Sequence, residues 1–153
     1  MITFKKILLT TDFSKNAEAA IPYALDLARQ YKGEIYLTYV CESQHYFAPD
    51  VGVFPNISDA SWIKSAVEHH IKYLDQCAEI LRSQNKDVPI QAKFLEGNPV
   101  KELLEYAEKV KVDLVVIATH GRTGLSHMLH GSVAERIIRH STRPVLSVRP
   151  QVV

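Results

Sequence analysis

The chain has 153 residues, of which 46% are hydrophobic and 23% charged, and its formal net charge is +1. That is the size of one domain with a full core and the composition of an ordinary globular protein, and so small a charge gives no broad electrostatic case for nucleic acid. No apolar run reaches membrane-spanning length, and MITFKKILLTTDFS lacks the long apolar segment and cleavage site of a secretory signal, so no membrane-spanning helix and a cytoplasmic location are expected.

Residues 4–10, FKKILLT, predict a first strand, followed by the polar turn TTDFS. Ser14 can cap a helix over 15–31, whose Ala17, Ile21, Ala24, Ala28 and Tyr31 fall on one face; Pro22 interrupts it as a bend or a later start. Gly33 is expected to end that helix, and residues 34–40 predict the second strand. The stretch 41–57 has no sustained period and reads as a long loop, with Tyr46, Phe47 and Phe54 either closing over a ligand or packing back on the protein. Residues 58–83 predict a long helix with a stripe at Ile63, Val67, Ile71, Leu74, Ala78 and Leu81, and 87–94 a third strand. In EGNP, Gly97 turns, Asn98 caps and Pro99 opens a helix through Val110. A fourth strand over 113–118, a helix from about 131 to 140 and a last strand over 144–148 complete the chain.

Strands alternating with helices define a single α/β domain over residues 1–153, an open, mainly parallel five-stranded sheet with helices on both faces. If the sheet winds outward both ways from strand one, its switch point lies between strands one and four, and residues 10–12 face residues 118–124 across one crevice. There, VDLVVIATHGRTGLSHMLHGS passes from a buried strand through Gly121 and Gly124 to a helix start near Gly131 and Ser132. This is either an anion or nucleotide loop or an ordinary strand-to-helix connection.

Known phosphate motifs narrow the choice. TTDFSKNAE follows strand one where a Rossmann-like fold with the dinucleotide fingerprint would carry GxGxxG, and GxxxxGK[ST] is absent throughout. The response-regulator pattern also fails, because the fourth strand supplies no second carboxylate and no lysine ends the last strand. Asp12 therefore reads either as a ligand carboxylate or as a turn residue satisfying backbone donors. His127 and His130 lack the further ligands and HExxH spacing of a zinc site, and GxSxG is missing. Arg136, Arg139 and Arg143 read as a solvated helix face, without specific nucleic-acid recognition. Cys41, in the expected loop, and Cys77, in the expected helix, have no CxxC spacing and read as reduced thiols.

Essentially the entire chain resembles the universal stress protein family, most specifically in ILLTTDFSKNAEAAIPYALDLA, the EGNP turn and ATHGRTGLSHMLHGSVAERIIRHSTRPVLSV. The resemblance implies a commonly dimeric five-stranded α/β fold with one ATP-binding branch and one that lacks ATP. The nucleotide-binding branch carries GxxG, nine residues, then G[ST]. Here Ala118-Thr119-His120-Gly121 is followed by nine residues and Gly131-Ser132, with Ala118 in place of the first glycine. If that position is extended, alanine fits at little cost; if the ligand passes against it, binding weakens or vanishes. By the same resemblance Asp12 takes the ribose or adenosine end, Val40 lies near adenine, and Gly121, Arg122, Gly131, Ser132 and Val133 form the phosphate side. Thr10 stands where the family usually has proline. The implied cofactor is ATP with Mg2+ held mainly by phosphates and water, and the implied homodimer forms through the C-terminal edge strand.

The function expected from these residues is a cytoplasmic stress-response protein that binds ATP in a strand-end crevice and signals through nucleotide-dependent contacts with another protein. Two alternatives stand beside it. A nucleotide-free dimeric interaction module is favoured by Ala118 and the aromatic loop, and a slow ATPase would need a positioned water, for which His120 is a candidate.

Overall fold

The structure, a computed structural model, describes residues 1–42, 61–119 and 132–150. Its strands are β1 (Lys6–Thr10), β2 (Glu34–Cys41), β3 (Ile90–Glu96), β4 (Leu114–Ala118) and β5 (Val145–Val148). The helices are α1 (Lys15–Glu18), α2 (Ile21–Tyr31), α3 (Ser61–Gln84), α4 (Pro99–Val110) and α5 (Val133–His140). All strand pairs are parallel and run in the order β3-β2-β1-β4-β5, so the chain winds outward from β1 in both directions. The switch point lies between β1 and β4, as the sequence predicts.

Strand alternation divides the core. Ile7 and Leu9 turn to one face with Ile35, Leu37 and Val116, covered by α2 and α3. Leu8, Val115 and Ile117 turn to the other, covered by α4 and α5. Both faces of β1 and β4 are thus buried, which is why their sequences are continuous apolar runs rather than alternating ones.

Local chemistry moves several boundaries from their expected places. The helix expected over 15–31 is two helices, because Pro22 has no N–H to give the carbonyl of Glu18 and its ring crowds that oxygen. The chain passes between them through tighter bonds from the N–H of Ala19 to Asn16 and of Ala20 to Ala17, at 3.2 and 3.1 Å. Lys32, rather than Gly33, takes the left-handed turn at the end of α2, with φ 50°. Its N–H and that of Gly33 return to the carbonyls of Arg29 and Ala28. Gly33 serves close approach: a Cβ there would lie 2.6 Å from the carbonyl oxygen of Phe4. Strand β3 begins at Ile90 rather than Asp87: Pro89 has no N–H to give the ladder, and Asp87 accepts from Nε of Arg29 at 2.8 Å. On α3, Leu74 and Ala78 are buried, whereas Ile71 is exposed and His70, one residue earlier, stacks on Tyr39 at 5.4 Å.

Cys41 is the last residue of β2 and 2% exposed, which corrects its expected place in a loop. The reason is that β2 outruns β1: it continues past Thr38 to pair with β3, with Cys41 opposite Glu96. Neither cysteine is in a disulfide, and burial raises the thiol pKa of Cys77.

Candidate functional site at the strand ends

Register puts the ends of β1 and β4 side by side. Leu9 is opposite Val116, and the strands end within two residues of that pair, at Thr10 and Ala118. The N–H of Thr11 still bonds the carbonyl of Thr38 at 3.0 Å, and that of Thr119 bonds Val148 at 2.9 Å, so both loops leave the sheet from fixed points. Val40 lies at the same end of β2, half-buried against the α4 and α5 core. Thr10, Asp12, Val40 and Ala118 are therefore brought to one end of the sheet although they are spread over more than a hundred residues of chain. Gly121, Arg122, Gly131 and His120 lie outside the described residues, as do Tyr46, Phe47 and Phe54.

Ala118 is an extended strand residue paired with Val148. Among the described residues the non-glycine positive-φ positions are Phe13, Lys32 and Lys111, so glycine's special freedom is not needed at 118, and alanine costs the strand little. Its methyl packs on the core face covered by α2 and α3, opposite to the face that receives Val40.

After β1 the chain is held by its own side chains. Thr11 Oγ1 accepts from the N–H of Phe13 at 3.0 Å, and Asp12 Oδ1 accepts from the N–H of Ser14 at 2.9 Å and also from its hydroxyl. Ser14 Oγ in turn accepts from the N–H of Ala17, capping α1. Asp12 is thus a turn residue, as one sequence reading holds, with one carboxylate oxygen committed to Ser14. Phe13 is the residue that sequence reasoning missed. Its φ is 64°, a left-handed conformation that costs a residue bearing a Cβ roughly 1–2 kcal/mol. Its ring stacks on Tyr39 at 4.4 Å and meets Tyr73 edge-on at 4.8 Å. A bulky residue between two small polar ones in a helix-opening turn was the only signal available.

On the phosphate side suggested by the sequence, Ser132 caps α5: its Oγ accepts from the N–H of Glu135 at 3.1 Å. A hydroxyl that accepts at a cap still has a proton to donate, so the cap and a phosphate contact are compatible. Ser132 and Val133 are both exposed. Among the described residues no group of three or more His, Cys, Asp or Glu converges on a metal position.

The displaced pKa values lie elsewhere. Burial, reinforced by the hydrogen bond to Glu34, pushes the Tyr36 hydroxyl up to about 12. Hydrogen bonds from Arg143 and then Thr142 hold Glu108 at about 2. Tyr36 donates to Glu34 within β2, and Glu108 on α4 receives both arms of Arg143, which precedes β5, at 3.0 and 2.8 Å.

The arrangement is that of a doubly wound α/β domain whose central strands β1 and β4 end side by side, the customary ligand position in such sheets. The universal stress protein family matches residues 3–149, and the chain belongs to it. It is 36% identical over 147 residues to universal stress protein MJ0531 of Methanocaldococcus jannaschii, covering 95% of this chain and 82% of that one. It is also similar to MJ0577 of the same organism, at 28% identity over 97% of this chain and 96% of that protein. The MJ0577 structure superposes with a TM-score of 0.81 at 25% identity over 99% of this chain and all of that one. The UspA structure from Lactobacillus plantarum shares the fold, with a TM-score of 0.77 over 97% of this chain and 100% of that one at 17% identity.

Proposed function

We propose that this protein binds ATP at the carboxyl ends of β1 and β4 and serves a cytoplasmic stress response, nucleotide occupancy altering its affinity for another protein. The observation that carries the reading is the pairing of β1 with β4, which sets the Asp12 turn beside Ala118, where the motif spaced toward Gly131 and Ser132 begins. Asp12 would meet ribose hydroxyls, Val40 the base, and the N–H groups at the start of α5 the phosphates, with Ser132 donating its hydroxyl. Gly121, Arg122 and Gly131 complete the phosphate side by sequence, and Thr10 shapes the floor from the end of β1. Mg2+ would be held by phosphate and water. The extended backbone at Ala118 supports the fit, since the substitution leaves the strand undistorted. Signalling follows by linkage: ATP favours whichever conformation binds it better, and a partner reads that difference.

The test is calorimetric titration of nucleotide-stripped protein with Mg-ATP against Asp12→Asn. Asparagine keeps an oxygen for the Ser14 donors and loses the charge, so it disturbs the turn less than alanine. Saturable binding of one nucleotide per subunit that is weakened in the variant is the expected outcome. No heat at several temperatures, together with an unchanged urea midpoint at saturating nucleotide, would overturn the reading.

A second reading is a nucleotide-free module acting through protein contacts. Trp62 and Ile80 on α3, 44% and 56% exposed, favour it. Survival of a partner complex with ATP absent and unaffected when added would select it. Weak ATP hydrolysis is a further activity to assay, with His120→Ala as the variant that should abolish it while ATP still binds.

A further inference from the structure

The β1–α1 turn contains an expensive choice. Every polar group in it that bonds locally could do so with a small residue at position 13, where glycine or asparagine would take the left-handed conformation at far lower cost. A phenylalanine stands there instead, with φ 64°. Its ring is half-buried: it is stacked at 27° on Tyr39 of β2 and met at 83° by Tyr73 of α3. Tyr39 is in turn stacked on His70 of α3 and tilted against Phe94 of β3. The turn bearing Asp12 is therefore tied through one side chain to two elements remote from it in sequence.

We infer that Phe13 is a positioning residue for the crevice, its ring wedged between Tyr39 and Tyr73 so that the Asp12 carboxylate is held on the Ser14 donors at a fixed place beside the end of β4. The role rests on the ATP reading for its functional half and on the turn itself for its structural half. The physical argument is preorganisation. Three bonds within the four-residue turn are local, and the backbone bond from the N–H of Thr11 to the carbonyl of Thr38 ties its first residue to β2, a point about which the rest of the turn can pivot. A half-buried ring packed against β2 and α3 restricts that freedom before ligand arrives, so a nucleotide meets a carboxylate already in place. If the competent arrangement were populated only a tenth of the time, apparent affinity would fall about tenfold.

The consequence is testable with variants that separate backbone from ring. Phe13→Asn keeps a residue that tolerates the left-handed conformation and removes the wedge; Phe13→Tyr keeps the ring. Tyr73→Ala takes away the edge contact from α3 without touching the turn. Two readouts are taken on the full chain. The first is hydrogen-exchange protection of the Ser14 amide, normalised to the Val116 amide in the central strand so that global destabilisation cancels. The second is the Mg-ATP dissociation constant. Expected are a loss of about tenfold or more in normalised Ser14 protection in Phe13→Asn, a smaller loss in Tyr73→Ala and retention in Phe13→Tyr. Affinity should fall in the same order, about tenfold for Phe13→Asn.

Unchanged normalised Ser14 protection in Phe13→Asn, with only a lower melting temperature, would make the ring simple packing and overturn the wedge. Lost protection with unchanged ATP affinity would overturn its role in the crevice. Failure of the parent protein to bind ATP overturns the nucleotide reading instead, and the Ser14 measurement then still decides the wedge. Should Phe13→Asn fail to fold, Tyr73→Ala decides by the same two readouts.

Discussion

Asp12, Gly33 and Glu108 each take their meaning from a partner, local for Asp12 and remote in the sequence for Gly33 and Glu108. Asp12 is read by its neighbour Ser14, whose N–H and hydroxyl both reach one carboxylate oxygen. Gly33 is read by the preceding strand segment: an added Cβ would meet the carbonyl oxygens of Phe4 and Lys5 at 2.6 and 2.8 Å. Backbone atoms cannot swing aside as a side-chain tip can, so Gly33→Ala is expected to lower stability by about 1–3 kcal/mol, seen as a lower urea midpoint. Glu108 is read by Arg143, which lowers its pKa from 4.5 to about 2. A depressed carboxylate stabilises the fold above its unfolded pKa and loses that contribution as pH falls through the folded one. Stability should therefore decline between about pH 4.5 and pH 2. Glu108→Gln should remove that part of the slope in urea titrations across the same window, while the slope near neutral pH stays as it was.

The helix ends are the elements most open to test, because their capping chemistry is local and their position is not. Asn98 and Ser132 cap α4 and α5, each accepting at 3.1 Å from the N–H three residues on. Pro99 adds a preset φ to the first of these, and the EGNP turn is legible for that reason. Ser132 carries two roles under the ATP reading, and two substitutions divide them. Ser132→Ala removes the cap and should cost about 1 kcal/mol of stability together with some affinity for Mg-ATP. Ser132→Asp restores a capping oxygen but sets a negative charge beside the phosphates, so thermal stability should return while ATP affinity falls further. Equal affinity in the parent and the aspartate variant would place the phosphates away from α5.

At the scale of the molecule, β5 is an edge strand, and Val145 and Leu146 are only half-buried. Pairing of that edge with a second copy would cover it, and the proposed homodimer is of this kind. Light scattering should report a dimer for the parent protein, and Ser147→Lys, a charge placed on the exposed position of β5, should shift it toward monomer. An unchanged mass would move the contact to another surface. If ATP binds the folded protein alone, saturation at a hundred times the dissociation constant should raise stability by about 2.7 kcal/mol, and the Asp12→Asn variant should gain less.

Strand order, the two-sided core and the switch point between β1 and β4 follow from features written along the chain. Continuous apolar runs such as ILL and LVVIA must be covered on both faces, helices of suitable period lie between them, and right-handed crossovers leave few ways to assemble the set. Pro22 and EGNP likewise act within one helical turn, so their effects are readable locally, even where the exact break needs coordinates. What only the tertiary structure decided involves contacts across long stretches of chain. Cys41 is buried because β2 outruns β1 to pair with β3, and Ala118 is extended because Val148 lies opposite it. Phe13 holds a left-handed backbone beneath Tyr39 and Tyr73. Sequence period reports which face a residue turns to its own element, whereas register, close backbone approach and tolerated strain are set by the neighbours that folding brings.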